Sequence, residues 1–194
     1  MKSLLTTFVL LLQVQMLFGQ EQPSKTNTKI NSIYAEAFGQ GFCYSLNYDR
    51  VLKTKSNIKH SVSIGLLYVP KVIGFGDGVY FGIPISYNLL LGKKSHRFEL
   101  GLGLTNMLVN PFFNNGVSTY YMCLTPKVGY RFQKTNGGLF LKVTANLLID
   151  VFNVQSYKYE NGVSRITSSL YDVFGVGYPI FPWPGIGVGY TFKK

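Results

Sequence analysis

The chain has 194 residues, 46% apolar and only 14% charged, with a formal charge of +11, 14 tyrosines, 15 phenylalanines and 21 glycines. That is room for one domain of ordinary size, too apolar to be disordered. The basic residues form no helical stripe and no nucleic-acid motif, which argues against nucleic acid as the partner behind the charge.

The first element, MKSLLTTFVLLLQVQMLFGQ, has Lys2 as a charged leader, an apolar run over 4–18 and the small Gly19. That is the pattern of a secretory signal peptide over residues 1–19. No cysteine stands at the cleavage site to carry a lipid anchor, and no later stretch holds the roughly 18 consecutive apolar residues of a membrane helix. A polar linker over 20–30 leads to the folded part, 31–194.

From Asn31 onward the apolar residues recur with period two, the signature of strands. In FCYSLNYD, Phe42, Tyr44, Leu46 and Tyr48 share one face; in FELGLGLT, Phe98, Leu100, Leu102 and Leu104 do. The last segment, GIGVGYTF, sets Ile186, Val188, Tyr190 and Phe192 against Gly185, Gly187, Gly189 and Thr191. Eight strands follow, over 31–40, 41–53, 59–69, 78–91, 95–107, 119–133, 138–150 and 184–192. Each is near or above the roughly 9–11 residues that a tilted strand needs to cross a bilayer. From the second strand on, short polar connections (KTKSN, GKKSH, QKTNGG) alternate with long ones (PKVIGFGDG, NMLVNPFFNNGVS and 150–184). The expected fold is all-β: an eight-stranded antiparallel up-and-down transmembrane β-barrel, short periplasmic turns and longer extracellular loops. FGQGF is a very short first loop, and the even strand count decides for a break near Gly39 to Gly41. Pro84 and Pro126 fall inside strands and are read as bulges.

A soluble eight-stranded barrel also alternates, with its apolar face inward. Glycine separates the two: Gly65, Gly82, Gly101, Gly103, Gly129, Gly185, Gly187 and Gly189 all share the polar face, where a narrow interior needs small residues. Aromatics gather at both strand ends, Tyr48, Tyr87, Tyr130, Tyr190 and Phe192 at the turns, Tyr68, Tyr80, Phe81, Tyr120 and Tyr121 at the loops, as interfacial girdles do.

With NSIYAEAFGQGFCYSLNYDR, IPISYNLLLGKKSHRFELGLGLT, LTPKVGYRF and FPWPGIGVGYTF in view, the chain resembles the small outer-membrane β-barrel domain proteins of Gram-negative bacteria over nearly all of its mature length. Gly187, Tyr190 and Phe192 are similar to the terminal signal read by the barrel-assembly machinery, except that Lys193 and Lys194 follow. The resemblance implies fold and outer-membrane location. It implies no single activity.

Candidate chemistry is sparse. His60 and His96, the only near-neutral bases, lie near turns, far from where lipid-modifying barrel enzymes act, so no catalytic residue, metal or cofactor is expected. GIGVG and GFGDG lack the following helix of a phosphate loop. Cys43 and Cys123 are read as free thiols on well-separated inward faces. Inside the barrel, Glu36, Asp49 and Glu99 balance Lys127, Arg131 and Lys142 as an ion-pair network that closes the lumen, with Glu99 opposite 127–131 if the loop between them is centred near residue 113 or 114. Outside, Phe112, Phe113, Tyr178, Phe181 and Trp183 are candidate contacts for an extracellular protein or glycan, and YKYENGVSRIT reads as a hairpin above the membrane. Lys53, Lys55, Lys93, Lys94, Arg97 and other cations at the turns would meet anionic lipid head groups. The expected function is a non-enzymatic structural or binding barrel. The alternatives are a lipid-modifying enzyme of acyltransferase or deacylase type and a carrier of small apolar solutes, the latter favoured by any lateral gap between strands.

Overall fold

The computed structural model describes residues 30–52, 58–70, 79–92, 94–109, 117–134, 136–159, 162–166 and 180–193. They form nine strands: β1 (Ile30–Phe38), β2 (Tyr44–Leu52), β3 (Lys59–Val69), β4 (Tyr80–Leu91), β5 (His96–Val109), β6 (Val117–Gln133), β7 (Gly138–Tyr159), β8 (Gly162–Ile166) and β9 (Ile180–Lys193). The signal segment 1–19 and nearly all of the linker lie outside the described residues, as do Lys53, Lys55 and Lys93.

Each strand pairs antiparallel with its neighbour from β1 to β7; β7 pairs β9, and β9 pairs β1, closing an eight-stranded barrel. β8 pairs only with β7 among the described residues, through Gln155↔Ile166 to Tyr159↔Gly162, so the expected hairpin is there as a continuation of the wall beyond the loop end. β5 and β6 keep one register from His96↔Phe132 to Val109↔Thr119, with Glu99 opposite Gly129. The expected bounds of β3 coincide with the observed ones, while β7 and β9 run further.

The wall is inside out by the standard of a soluble protein. Ile33, Leu46, Ile64, Leu66, Leu102, Val128, Val143, Ile186, Val188 and Tyr190 are exposed outward. Asn47, Ser63, Asn88, Thr105, Thr125, Thr144 and Thr191 are buried inside. A contiguous apolar surface of this extent has no place in water and is built for hydrocarbon. The inward glycines are where they are because the lumen is full: a Cβ on Gly103 would collide with the Gln40 side chain, and one on Gly65 with the Asn47 side chain.

Three readings are corrected by the register and the burial. Neither proline makes a bulge. Ile64↔Ile85 and Leu67↔Gly82 share one register across Pro84, as do Leu124↔Ile149 and Lys127↔Asn146 across Pro126, with only the intervening pairs missing. A residue without an N–H drops a rung and leaves the strand in step. The bulge lies at Met122/Cys123, where Met122↔Phe152 gives way to Cys123↔Asp150.

Phe42 does not continue the outward face of β2. Phe38, Gly39 and Phe42 take φ of 58°, 63° and 61°, and the turn Gly39–Gly41 folds into the barrel, leaving Phe42 3% exposed inside. Tyr80 and Tyr121 are likewise not girdle residues. They point inward and, with Phe42, Leu67, Val69, Met107, Val109, Cys123 and Leu148, form an apolar cluster in the loop-end half of the lumen.

Candidate functional site in the barrel lumen

The interior is built in layers, each carried by the inward positions of several strands. At the turn end a polar belt crosses the mouth. Thr191 Oγ1 and Ser32 Oγ are 2.9 Å apart, Gln133 Nε2 donates to Ser32 Oγ at 2.9 Å, and Arg97 Nη1 donates to Gln133 Oε1 at 2.9 Å. Arg97 also donates to the Lys94 carbonyl at 3.3 Å and is 2% exposed. It is therefore not one of the turn cations at the lipid surface, as expected from its place near a strand end; its parity with Glu99 on β5 sends it inward instead.

Above the belt lie the six ionised residues singled out in the sequence, and the structure brings all of them together. Arg131 on β6 donates through Nη1 to Asp49 Oδ1 at 2.9 Å and through Nε to Glu99 Oε2 at 2.7 Å. Ser61 Oγ donates to Asp49 Oδ2 at 2.9 Å. Lys142 Nζ lies 3.2 Å from Glu36 and 3.7 Å from Glu99, and Lys127 Nζ lies 3.9 Å from Glu99. Glu99 therefore faces three cations. All six are buried, and the pairing geometry with its extra hydrogen bonds is what makes such burial tolerable. Aromatic faces complete the shell: Tyr34 and Phe140 stack at 4.8 Å, with Lys142 5.0 Å from the Tyr34 ring and Arg131 5.2 Å from the Phe140 ring.

Gln40, in the inward turn, caps this layer. Its Nε2 donates to the Ile85 carbonyl at 2.7 Å, Thr105 Oγ1 donates to its backbone carbonyl at 3.0 Å, and Lys127 Nζ donates to its Oε1 at 3.3 Å and to Ser86 Oγ at 2.8 Å. Neither Gln40 nor Arg97 is among the site residues expected from sequence. Arg97 was findable by counting from Glu99. Gln40 was not, since its place is set by carbonyls on β4 and β5, far away in sequence.

The remaining candidates separate. Gly187, Tyr190 and Phe192 lie on β9, Gly187 against Tyr34 and Tyr190 at 61% exposure on the outer wall. Phe112, Phe113 and Tyr178 lie outside the described residues. Phe181 and Trp183 are half-buried residues of β9, not loop residues: they pack against the apolar cluster, and Trp183 Nε1 donates to the Phe42 carbonyl at 3.1 Å. His60 Nδ1 pairs with Tyr87 Oη at 2.5 Å, and His96 Nδ1 pairs with Tyr130 Oη, both on the outside of the wall near the turns. Cys43 and Cys123 are free thiols, Cys43 in the turn before β2 and not on a strand. Among the described residues no group of three or more His, Cys, Asp or Glu is placed to hold a metal. A hollow of about 540 Å³ crosses the outer face over Leu100, Pro126, Val128, Ala145, Leu147, Pro182 and Pro184.

No protein-family model matches the chain, and no curated protein matches it in sequence. Among solved structures it is similar to a major outer membrane protein from Thermus thermophilus, with 12% identity, a TM-score of 0.54, and coverage of 87% of this chain and 100% of that one. The N-terminal β-barrel domain of Pseudomonas aeruginosa OprF matches at 12% identity over 86% of this chain and 98% of that one, with a TM-score of 0.44 that adds nothing to the assignment. The first of these shares the closed antiparallel barrel: the chain has the fold of the small outer-membrane β-barrels.

Proposed function

We propose that the chain is a non-enzymatic integral protein of a Gram-negative outer membrane, sealed along its axis, with a structural or surface-binding role. The observation that supports this is the interior: three layers of side chains, polar belt, ion-pair cluster and Gln40 turn, reach across the barrel, which favours a filled lumen over a passage. The turns then face the periplasm, where Arg50, Lys94, Lys134 and Lys193 stand near anionic phospholipid head groups, each favourably placed cation contributing about 1 kcal/mol. The β7–β8 hairpin rises on the opposite side and gives an extracellular protein or glycan something to bind. Gly187, Tyr190 and Phe192 present the end of β9 to the barrel-assembly machinery. A lipid-modifying enzyme is disfavoured, because both histidines sit at the turn end of the outer wall with tyrosine partners.

The mature protein is expected in the outer-membrane fraction, shortened by about 19 residues, and shifted in gel mobility by boiling. Recovery as a soluble periplasmic species with no shift on boiling would overturn the membrane assignment.

A further inference from the structure

We propose that the turn-end mouth of the barrel binds one dissolved divalent oxyanion of the phosphate class, held between Arg97 and Lys59. This rests on the reading of the chain as an outer-membrane barrel with its turns in the periplasm.

The buried charges do not balance. Among the described residues, Glu36, Asp49 and Glu99 are buried with Lys127, Arg131, Lys142 and Arg97, three carboxylates against four cations. The cluster around Glu99 commits all three carboxylates to the first three cations, and the odd charge is Arg97. Asp49 is the acid whose field reaches it. Both Asp49 oxygens are taken, however: Oδ1 accepts from Arg131 at 2.9 Å, and Oδ2 from Ser61 at 2.9 Å and from Arg131 at 3.2 Å. Arg97 is left with two neutral acceptors, Gln133 Oε1 at 2.9 Å and the Lys94 carbonyl at 3.3 Å. A guanidinium has five N–H donors in a rigid fork, so these bonds leave part of the fork for an acceptor from outside. A cation buried without an anion is costly, and a bound anion removes that cost.

A second cation stands over the first. Lys59 begins β3 and shares the inward parity of Ser61 and Ser63, both buried. It is close enough to Arg97 to be repelled by it. Two like charges thus converge where the lumen opens to water, and an anion between them turns repulsion into attraction. The chain brings almost no acid of its own to this end. Of its eight Asp and Glu residues, three are in the lumen cluster, and Asp77, Asp150, Glu160 and Asp172 belong to the loop side of the sequence. The last is Glu21, in the linker.

The fork is also held in place before any ligand arrives. Lys94 has a φ of 55°, uncommon for a residue with a side chain, and its carbonyl is the one that accepts from Arg97. A Cβ on Gly92 would meet the His96 carbonyl and the Arg97 Cα, so the turn packs closely against the start of β5. Gln133, on the other side, is fixed by its bond to Ser32 across the mouth. A donor whose position is already set loses little freedom on binding.

The same geometry selects the ligand. Arg97 and Lys59 point toward the barrel axis, whereas phospholipid head groups surround the outside of the wall, where they meet outward cations such as Arg50. A dissolved anion is the one with access. Two fixed positive charges match a phosphate group, which carries about −1.5 to −2 at pH 7; chloride or acetate answers only one of them. Below the belt the pairs of Arg131 with Asp49 and Glu99 fill the next layer, so the anion stops at the mouth.

The test titrates the mature protein with inorganic phosphate by calorimetry, at constant ionic strength, in maltoside micelles that hold no phosphate of their own. Folding is checked by the mobility shift on boiling. The site predicts saturable binding of one phosphate per chain, competed by sulfate and not by chloride. Arg97→Gln is expected to weaken it about tenfold or more, through loss of a charge-assisted hydrogen bond. Lys59→Gln also weakens it, and Arg50→Gln on the outer face does not. If Arg97→Gln fails to shift on boiling, Lys59→Gln decides, and unchanged affinity in that variant overturns the site. Equal weakening by Arg50→Gln assigns the binding to the general charge of the turns and overturns the site. Phosphate displaced by phosphatidylglycerol mixed into the micelles assigns the pair to a lipid head group and overturns the dissolved ligand. Binding that appears only in Glu21→Gln assigns the pair to the linker carboxylate, with the same consequence. No saturable binding in a protein that shifts on boiling overturns the site and leaves the barrel reading intact; no shift in the unmodified protein overturns the barrel reading and the site with it.

Discussion

Replacing Glu99 by glutamine is expected to lower the unfolding free energy in lipid vesicles by about 3–5 kcal/mol, the cost of stranding buried charge. The substitution keeps the shape of the side chain and an acceptor for Arg131 Nε, now 2.7 Å away, but removes the negative charge that faces Arg131, Lys142 and Lys127 together. Asp49 still pairs with Arg131 and Glu36 with Lys142, which leaves Lys127 with only the neutral acceptors Gln40 and Ser86. Arg131→Met is expected to be comparably costly, for it orphans two carboxylates. The double variant then costs less than the sum of the singles, since each has already broken the pair the other breaks. Urea unfolding of the four proteins measures this. Full stability of Glu99→Gln would show that the cluster does not hold the interior.

Val128→Arg is expected to destabilise the barrel by about 2–4 kcal/mol in a bilayer, the cost of a cation on the lipid face near the midplane. Val128 is 48% exposed on the outer face, between Leu100 on β5 and Ala145 on β7 in the ladder. In a soluble barrel the same exposed position would tolerate the change within about 0.5 kcal/mol. Refolding into vesicles separates the two cases, and an unaffected Val128→Arg would place the wall in water.

Most of the wall was legible from period two alone, because a barrel strand has two faces and nothing in between. Glu99, Lys127, Arg131 and Lys142 share the parity of the inward glycines, and turning any of them over would put charge in hydrocarbon. Arg97, Tyr80 and Tyr121 obey the same parity, with Glu99, Gly82 and Cys123 respectively. Position near a strand end misplaces them only when it is allowed to outweigh that parity. The inward turn was not legible: FGQGF signals a reversal, but its direction is chosen by Gln40 reaching carbonyls and a hydroxyl on β4 and β5. The prolines show the difference between a missing rung and a slipped register, which sequence alone does not distinguish.

The proposed sealing rests on the same layers. Along the axis from the turn end these are Arg97 and Gln133, then the pairs around Arg131 and Glu99, then Gln40 and the apolar cluster. The current carried by the unmodified protein in planar lipid bilayers tests this most directly. The filled lumen predicts a baseline without steady single-channel conductance at moderate voltage; a stable, ohmic open state would contradict it.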